Sequence, residues 1–398
     1  MHQPKEIYVK NLFFALFICV LALFAFLMPN FINSKPSNNA GGFVPSFSTS
    51  PTGNPPATFS STTTLTEKAE TLTGAMATVK IINNSTNSAV GIGSGVAVAD
   101  EGYLVTNYHV IYYLDTNPTK YSIMLDMQID GVFTQNVPAN LVWFNASLDI
   151  AILKSSQTFD VYVNMENRWI DSTNPLKVAE EIWTLGTPFD DGLFASFSKG
   201  TISSNSPRIE LTSVNNKNYL HNYLIQHNAA ISSGSSGGAL FDMNGNLVGL
   251  NTCGKTSTSN NIATNLFFAV PIYPVMIVLN KAISGDKTQS PYTTPVLGVT
   301  SYDKDYQTLG SSYTFAENGV FILEVVPTSD AAAKGLCAED IIVGMGDENC
   351  LDKNHSSYFQ IDRTYDLVYS LIRYNSGDTV SLFYKNSLGT HRIVIELG

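Results

Sequence analysis

The stretch NAAISSGSSGGALFDMNGNLVGLNT, residues 228–252, places a glycine-rich turn directly against a β-hairpin. Outside a strand context GSSGG reads as a flexible linker. Here Asn244-Gly245 separates two apolar runs, the signature of a tight hairpin, so the turn is pinned inside a sheet. Small residues around Ser236 leave its hydroxyl exposed and let backbone amides converge on one point. The amides of Gly234 and Ser236, with Ser235 shaping the turn between them, form a candidate oxyanion hole for a tetrahedral intermediate.

Two segments upstream supply what a serine nucleophile needs. In GSGVAVADEGYLVTNYHVI, residues 93–111, a glycine-flanked strand and a turn at Asp100-Glu101-Gly102 deliver His109 just beyond another strand. Imidazole, with an ordinary pKa near 6.5, can accept and return a proton near neutrality. In SLDIAILK, residues 147–154, Asp149 opens an apolar strand, where a carboxylate is costly unless paired. Histidine Nδ1–H is such a partner, and the pairing leaves Nε2 free to act as base. Taken singly, His109 reads as a structural or exposed histidine, Asp149 as a strand-end cap and Ser236 as part of a linker. Their chain order is what carries the reading.

The surrounding pattern is all-β. Twelve short runs, from ATVKII at 77 to FFAV at 267, alternate with turn residues, and this density predicts two closed antiparallel barrels. Pro271 then opens a helix whose face is formed by Ile272, Val275, Met276, Leu279 and Ile283. Residues 76–285 read as one domain, 286–295 as a linker and 296–398 as a smaller α+β unit. The smaller unit has strands near GVFILEVV, DIIVGM, TVSLFYK and HRIVIEL and helices at DAAAKGL and Thr364 to Arg373.

Composition narrows the function classes. With 33 acidic and 22 basic residues the net charge is −11, which leaves no basic surplus for nucleic acid. Leu12 to Met28 is a 17-residue run without a charge, so 12–32 reads either as a transmembrane anchor, with 1–11 as its cytoplasmic tip, or as a cleaved signal segment. Lys5 and Lys10 precede it, which puts the rest of the chain outside the cytoplasm. Residues 33–75, rich in Ser, Thr, Pro and Asn, read as a flexible tether. Cys337 and Cys350 could bridge or stay as buried thiols; spacing alone leaves both open. His221 and His227 lie six residues apart, unlike a metal-binding spacing, so no metal and no cofactor is expected.

These motifs resemble the HtrA (Deg) family of trypsin-like serine proteases with carboxy-terminal PDZ domains. GSGVAVADEGYLVTNYHV is similar to its G-S-G-[VF]…T-N-x-H-V, DIAILK to its D-[LI]-A-[LV]-L-K and GSSGGAL to its G-N-S-G-G-P-L; TLGTPF, GTIS and FAVPI add shorter matches. Asn228, Ser235 and Ala239 stand where the family commonly has Asp, Asn and Pro.

The resemblance implies a mainly β chain: a chymotrypsin-like double β-barrel followed by a small α+β PDZ domain, with an N-terminal transmembrane helix in a DegS-like arrangement. It implies His109, Asp149 and Ser236 as the catalytic set, and Ala230 and Ile231 as the floor of the primary specificity pocket. No carboxylate stands there, so cleavage after small or medium aliphatic residues is expected. Val296, Leu297, Gly298 and Val299 resemble the loop that binds a peptide carboxylate, although an occluded groove is the alternative. The implied role is an extracytoplasmic endopeptidase of protein quality control, acting as a homotrimer on unfolded or regulatory proteins and regulated by C-terminal peptides. A peptide-binding sensor with vestigial hydrolysis is the rival.

Overall fold

The computed structural model describes residues 56–398 apart from 147, 169–172, 189–190, 205–207, 213–217, 223, 255–256, 259–260, 263–264, 285–294 and 304–317. The apolar run at 12–28 lies outside the described residues, as do the tether up to residue 55 and nearly all of the 286–295 linker. No described helix is long and apolar enough to cross a membrane.

Six strands close the first barrel: β1 (Met76–Asn83), β2 (Ser88–Ala99), β3 (Tyr103–Thr106), β4 (Tyr121–Ile129), β5 (Val132–Asn145) and β6 (Ile150–Ser155), in the order β1-β2-β3-β6-β5-β4. Its interior is aliphatic, with Val79, Ile81, Leu104, Leu125 and Ile152 all at zero exposure. The following strands are β7 (Glu181–Gly186), β8 (Ser196–Ser204), β9 (Arg208–Thr212), β10 (Asn218–Asn222), β11 (Ile225–His227), β12 (Ala239–Asp242), β13 (Leu247–Gly254), β14 (Ser257–Thr258), β15 (Asn261–Ile262) and β16 (Phe267–Pro271). Six of them close a second barrel, β11-β16-β13-β12-β7-β8, while β9 with β10 and β14 with β15 form separate hairpins. Trp183 and Phe241 anchor this core with ring centroids 4.5 Å apart, and the Trp183 indole N–H donates to the Asp242 carbonyl at 2.8 Å.

Three short helices modify the expected outline. Helix α1 (Leu65–Thr73) falls within the stretch expected to be tether. Thr64 and Glu67 form a reciprocal capping box, and Leu72 is fully buried, so two end-caps and one apolar anchor order a segment whose composition alone argues for disorder. Helix α2 (Tyr108–Thr116) follows β3 at once and holds His109, just beyond that strand as expected, in its first turn. Helix α3 (Tyr273–Ser284) begins two residues later than expected, because Pro271 is still the last residue of β16. Its Val275, Val278 and Leu279 are buried in the protease-side core.

A third unit is an antiparallel sheet with helices. Strands β17 (Val299–Asp303), β18 (Val320–Val325), β19 (Ile341–Asp347), β20 (Phe359–Gln360), β21 (Thr379–Asn386) and β22 (Gly389–Glu396) form a sheet of order β17-β18-β19-β21-β22, with β20 on β19. Helices α4 (Asp330–Ala333) and α5 (Thr364–Leu371) cover it, around a core that includes Val320, Ile342, Met345 and Leu382. Tyr369 of α5 meets Tyr273 of α3 edge-on, with centroids 5.4 Å apart. Cys337 is exposed and Cys350 buried; both are free thiols, so the bridging alternative does not hold.

Candidate active site

His109, Asp149 and Ser236 come from three different elements. Asp149 lies in the turn between β5 and β6, in a left-handed backbone conformation (φ 54°) that aspartate tolerates better than most residues. The Asn107 side chain donates to its carbonyl at 2.9 Å and holds the turn from the β3–α2 junction. The Asp149 carboxylate is almost wholly buried. It accepts from the His109 backbone N–H at 3.0 Å, meets His109 Nδ1 at 3.0 Å and accepts from the Thr252 hydroxyl at 2.7 Å.

These contacts set the electrostatics. Burial works against the imidazolium form of His109, but the Asp149 charge and hydrogen bond outweigh it, so the pKa lies above its ordinary value. With Nδ1 held by the carboxylate, Nε2 is the nitrogen left to move a proton, and 31% of the side chain remains open to solvent.

Ser236 is joined to this pair through Thr252. The Ser236 hydroxyl donates to the Thr252 carbonyl at 2.8 Å, while the hydroxyl of the same threonine holds Asp149. Among the described residues no hydrogen bond links Ser236 Oγ to His109. The turn itself requires glycine: Gly237 has φ +82°, and a Cβ there would fall against the Ser94 carbonyl and the Thr106 hydroxyl. The Ser235 amide is used internally, donating to the Ser232 carbonyl at 2.9 Å, whereas the amides of Gly234 and Ser236 donate to no described residue. Two open amides flanking a hydroxyl are what an oxyanion site needs.

Next to this turn lies a small cleft whose walls include Gly186, Phe197, Ser198, Ala230, Ile231 and Asn251. Ala230 and Ile231, the residues expected at the specificity floor, are among those that line it. No charged side chain lines the cleft among the described residues. Asn228 does not enter it; its side-chain oxygen accepts from the Thr201 amide at 2.6 Å and pins the loop to β8.

Sequence reasoning passed over Asn107, Thr252 and Asn251. The T-N-x-H and L-N-T strings were visible, but nothing in the chain order says that a threonine 16 residues after the nucleophile reaches back to an aspartate 103 residues before it.

In the third unit, Val296 exchanges two backbone hydrogen bonds with Gly398, each of 3.0 Å, so its amide is occupied. The Leu297 and Gly298 amides donate to no described residue, and Val299 starts the edge strand β17.

Two barrels with an imidazole–carboxylate pair and a glycine-turn serine at their junction define the trypsin-like peptidase class, and the Trypsin-like peptidase domain model matches residues 93–250. The serine endoprotease DegS of Haemophilus influenzae is 30% identical over 282 residues, covering 68% of this chain and 73% of that protein. The periplasmic serine endoprotease DegP of Escherichia coli is 29% identical over 257 residues, 64% of this chain and 48% of that one. The crystal structure of the serine endoprotease from Yersinia pestis shares the fold, with a TM-score of 0.53, 23% identity and coverage of 84% of this chain and 97% of that one. The chain belongs to the HtrA/Deg family and is a trypsin-like serine endopeptidase.

Proposed function

We propose that Ser236 is the nucleophile, His109 the base and then the acid, and Asp149 the group that orients and charges the imidazole. The observation that carries this is the buried Asp149 carboxylate shared between His109 and the threonine that also receives the Ser236 hydroxyl. A rotation of the Ser236 side chain from the Thr252 carbonyl toward His109 Nε2 precedes attack. The hydroxyl oxygen then bonds to the scissile carbonyl carbon as its proton passes to Nε2, and the oxyanion rests on the amides of Gly234 and Ser236. Collapse breaks the C–N bond, with His109 returning the proton to the leaving amine. Water repeats the cycle to free the acyl group. Treating the full chain with a peptide phosphonate and locating the adduct on Ser236 tests the assignment.

Substrates are unfolded or regulatory proteins cut after Val, Ala, Ile or Leu. A lysine or arginine side chain would lose its hydration in the Ala230–Ile231 cleft without gaining a counter-charge. A peptide panel varying only that position checks this, and a preference for Arg refutes it. The third unit acts as a PDZ-type domain that receives a peptide terminus at the Leu297 and Gly298 amides, with the peptide as an added strand on β17. Casein cleavage rises when hydrophobic carboxy-terminal peptides are added. The enzyme works outside the cytoplasm as a homotrimer, tethered by the 12–28 run; the periplasmic placement in the name of its relative DegP supports the compartment. Amino-terminal sequencing of the mature protein separates a tether from a cleaved segment.

A further inference from the structure

From the geometry around β2 we infer that the Ser94 hydroxyl is a positioning group for the oxyanion turn, an inference that rests on the proposed role of Ser236. Ser94 has no solvent exposure and makes four hydrogen bonds to three separate segments. Its backbone N–H donates to the Ser236 carbonyl at 2.7 Å, and its carbonyl accepts from the Thr106 hydroxyl at 2.7 Å. These two are backbone bonds that any residue in β2 could make on its own side. The hydroxyl does something further: it donates to the Gly234 carbonyl at 2.8 Å and accepts from the Thr187 amide at 2.8 Å.

The Gly234 carbonyl matters because of where it sits. It belongs to the peptide plane between Gly234 and Ser235, and on either side of that plane are the two amides assigned to the oxyanion. In a trans peptide the carbonyl and the following N–H point in opposite directions. Here the carbonyl points at Ser94 and the Ser235 N–H points the other way, to the Ser232 carbonyl at 2.9 Å. The plane is thus held at both ends, and holding it fixes the directions in which the Gly234 and Ser236 amides emerge. Gly234, at φ +94°, has the conformational freedom to let this plane turn, so the hold comes from the bonds and not from the backbone itself. The Thr187 amide, just past the end of β7, anchors the same hydroxyl. Ser94 touches neither the reacting atoms nor the specificity cleft; it acts through the turn.

In Ser94→Ala the Gly234 carbonyl and the Thr187 amide lose their partner, and the oxyanion amides lose their alignment in the transition state while substrate binding in the cleft is spared. Misplacing a catalytic group by about 1 Å costs up to roughly 100-fold. Expected for Ser94→Ala in the full chain is a kcat about 10- to 100-fold lower with KM within about twofold, and a peptide boronic acid bound more weakly by the same factor as kcat. Ser94→Thr, which keeps the hydroxyl, recovers most of the rate. Rates are read well below each variant's thermal midpoint. A wild-type kcat and boronate affinity in folded Ser94→Ala, or a loss confined to KM, overturns the inference. If Ser94→Ala does not fold, Ser94→Cys, a near-isosteric weak donor, is judged by the same two readouts. Ser236→Ala run in parallel keeps the two claims apart: if it retains full proteolysis the catalytic assignment itself fails, whereas a dead Ser236→Ala beside an unimpaired Ser94→Ala removes only the role of Ser94.

Discussion

Asp149 is the residue on which the chemistry turns, since it sits buried in a left-handed turn, its carboxylate held by the His109 backbone N–H, the Thr252 hydroxyl and the imidazole. Replacing it by Asn keeps the shape but reverses the imidazole tautomer it can support, and kcat is expected to fall by about 10⁴-fold. A pH profile checks the electrostatics separately. His109 must be neutral to act as base, and Asp149 holds its pKa above the ordinary value, so kcat/KM falls on acidification with a midpoint above about 6.5. In Asp149→Asn the residual activity loses that support, and its acid limb moves to lower pH. An unshifted limb would mean that the titrating group is not His109. The three principal residues were legible because each lies in a distinctive local string. Thr252 was not, because its two contacts join elements far apart in the chain and no local pattern records them.

At the level of elements, the β-runs were readable from alternation and turn residues, and the errors have physical causes. The apolar run NLVWF at 140–144 marks only the last part of β5, because Thr134 to Ala139 is mostly polar and contains Pro138 at a position facing a barrel partner. Helix α2 was hidden because TNYHVIYYL is as compatible with an apolar strand as with a helix of nine residues. Helix α1 was hidden by Ser/Thr-rich surroundings, although its capping box was in plain view as Thr64 and Glu67. That box should matter: Thr64→Ala is expected to lower stability by about 1 kcal/mol, read as a lower thermal midpoint with kcat unchanged. Gly237→Ala forces a Cβ into the Ser94 carbonyl and the Thr106 hydroxyl, so it is expected to abolish peptidase activity even where circular dichroism shows both barrels intact.

Across the whole molecule, two barrels and a third sheet unit follow from the spacing of strand signals, while the β9–β10 pair, which lies outside both closed sheets, is not among the runs read from the sequence. The packing of the second barrel buries His227 completely, and this contributes to the chain's response to acid. Burial drives its pKa down to about 4, only partly offset by the Ala229 backbone and the Asn251 side chain, neither aligned well enough for a full hydrogen bond. The unfolded chain takes up this proton near pH 6.5 and the native one near 4, so stability falls as pH drops through that window, by about 3 kcal/mol in total. His227→Leu is expected to flatten the decline between urea unfolding at pH 7 and at pH 4. If this chain cuts peptides through Ser236 activated by His109, incubating the full chain and its His109→Ala variant with a peptide phosphonate and mapping the adduct by mass spectrometry will distinguish the two proteins. A single adduct on Ser236 in the wild type, formed far more slowly without the imidazole, is the predicted result. Labelling of another residue, or equal labelling rates in the two proteins, would contradict it.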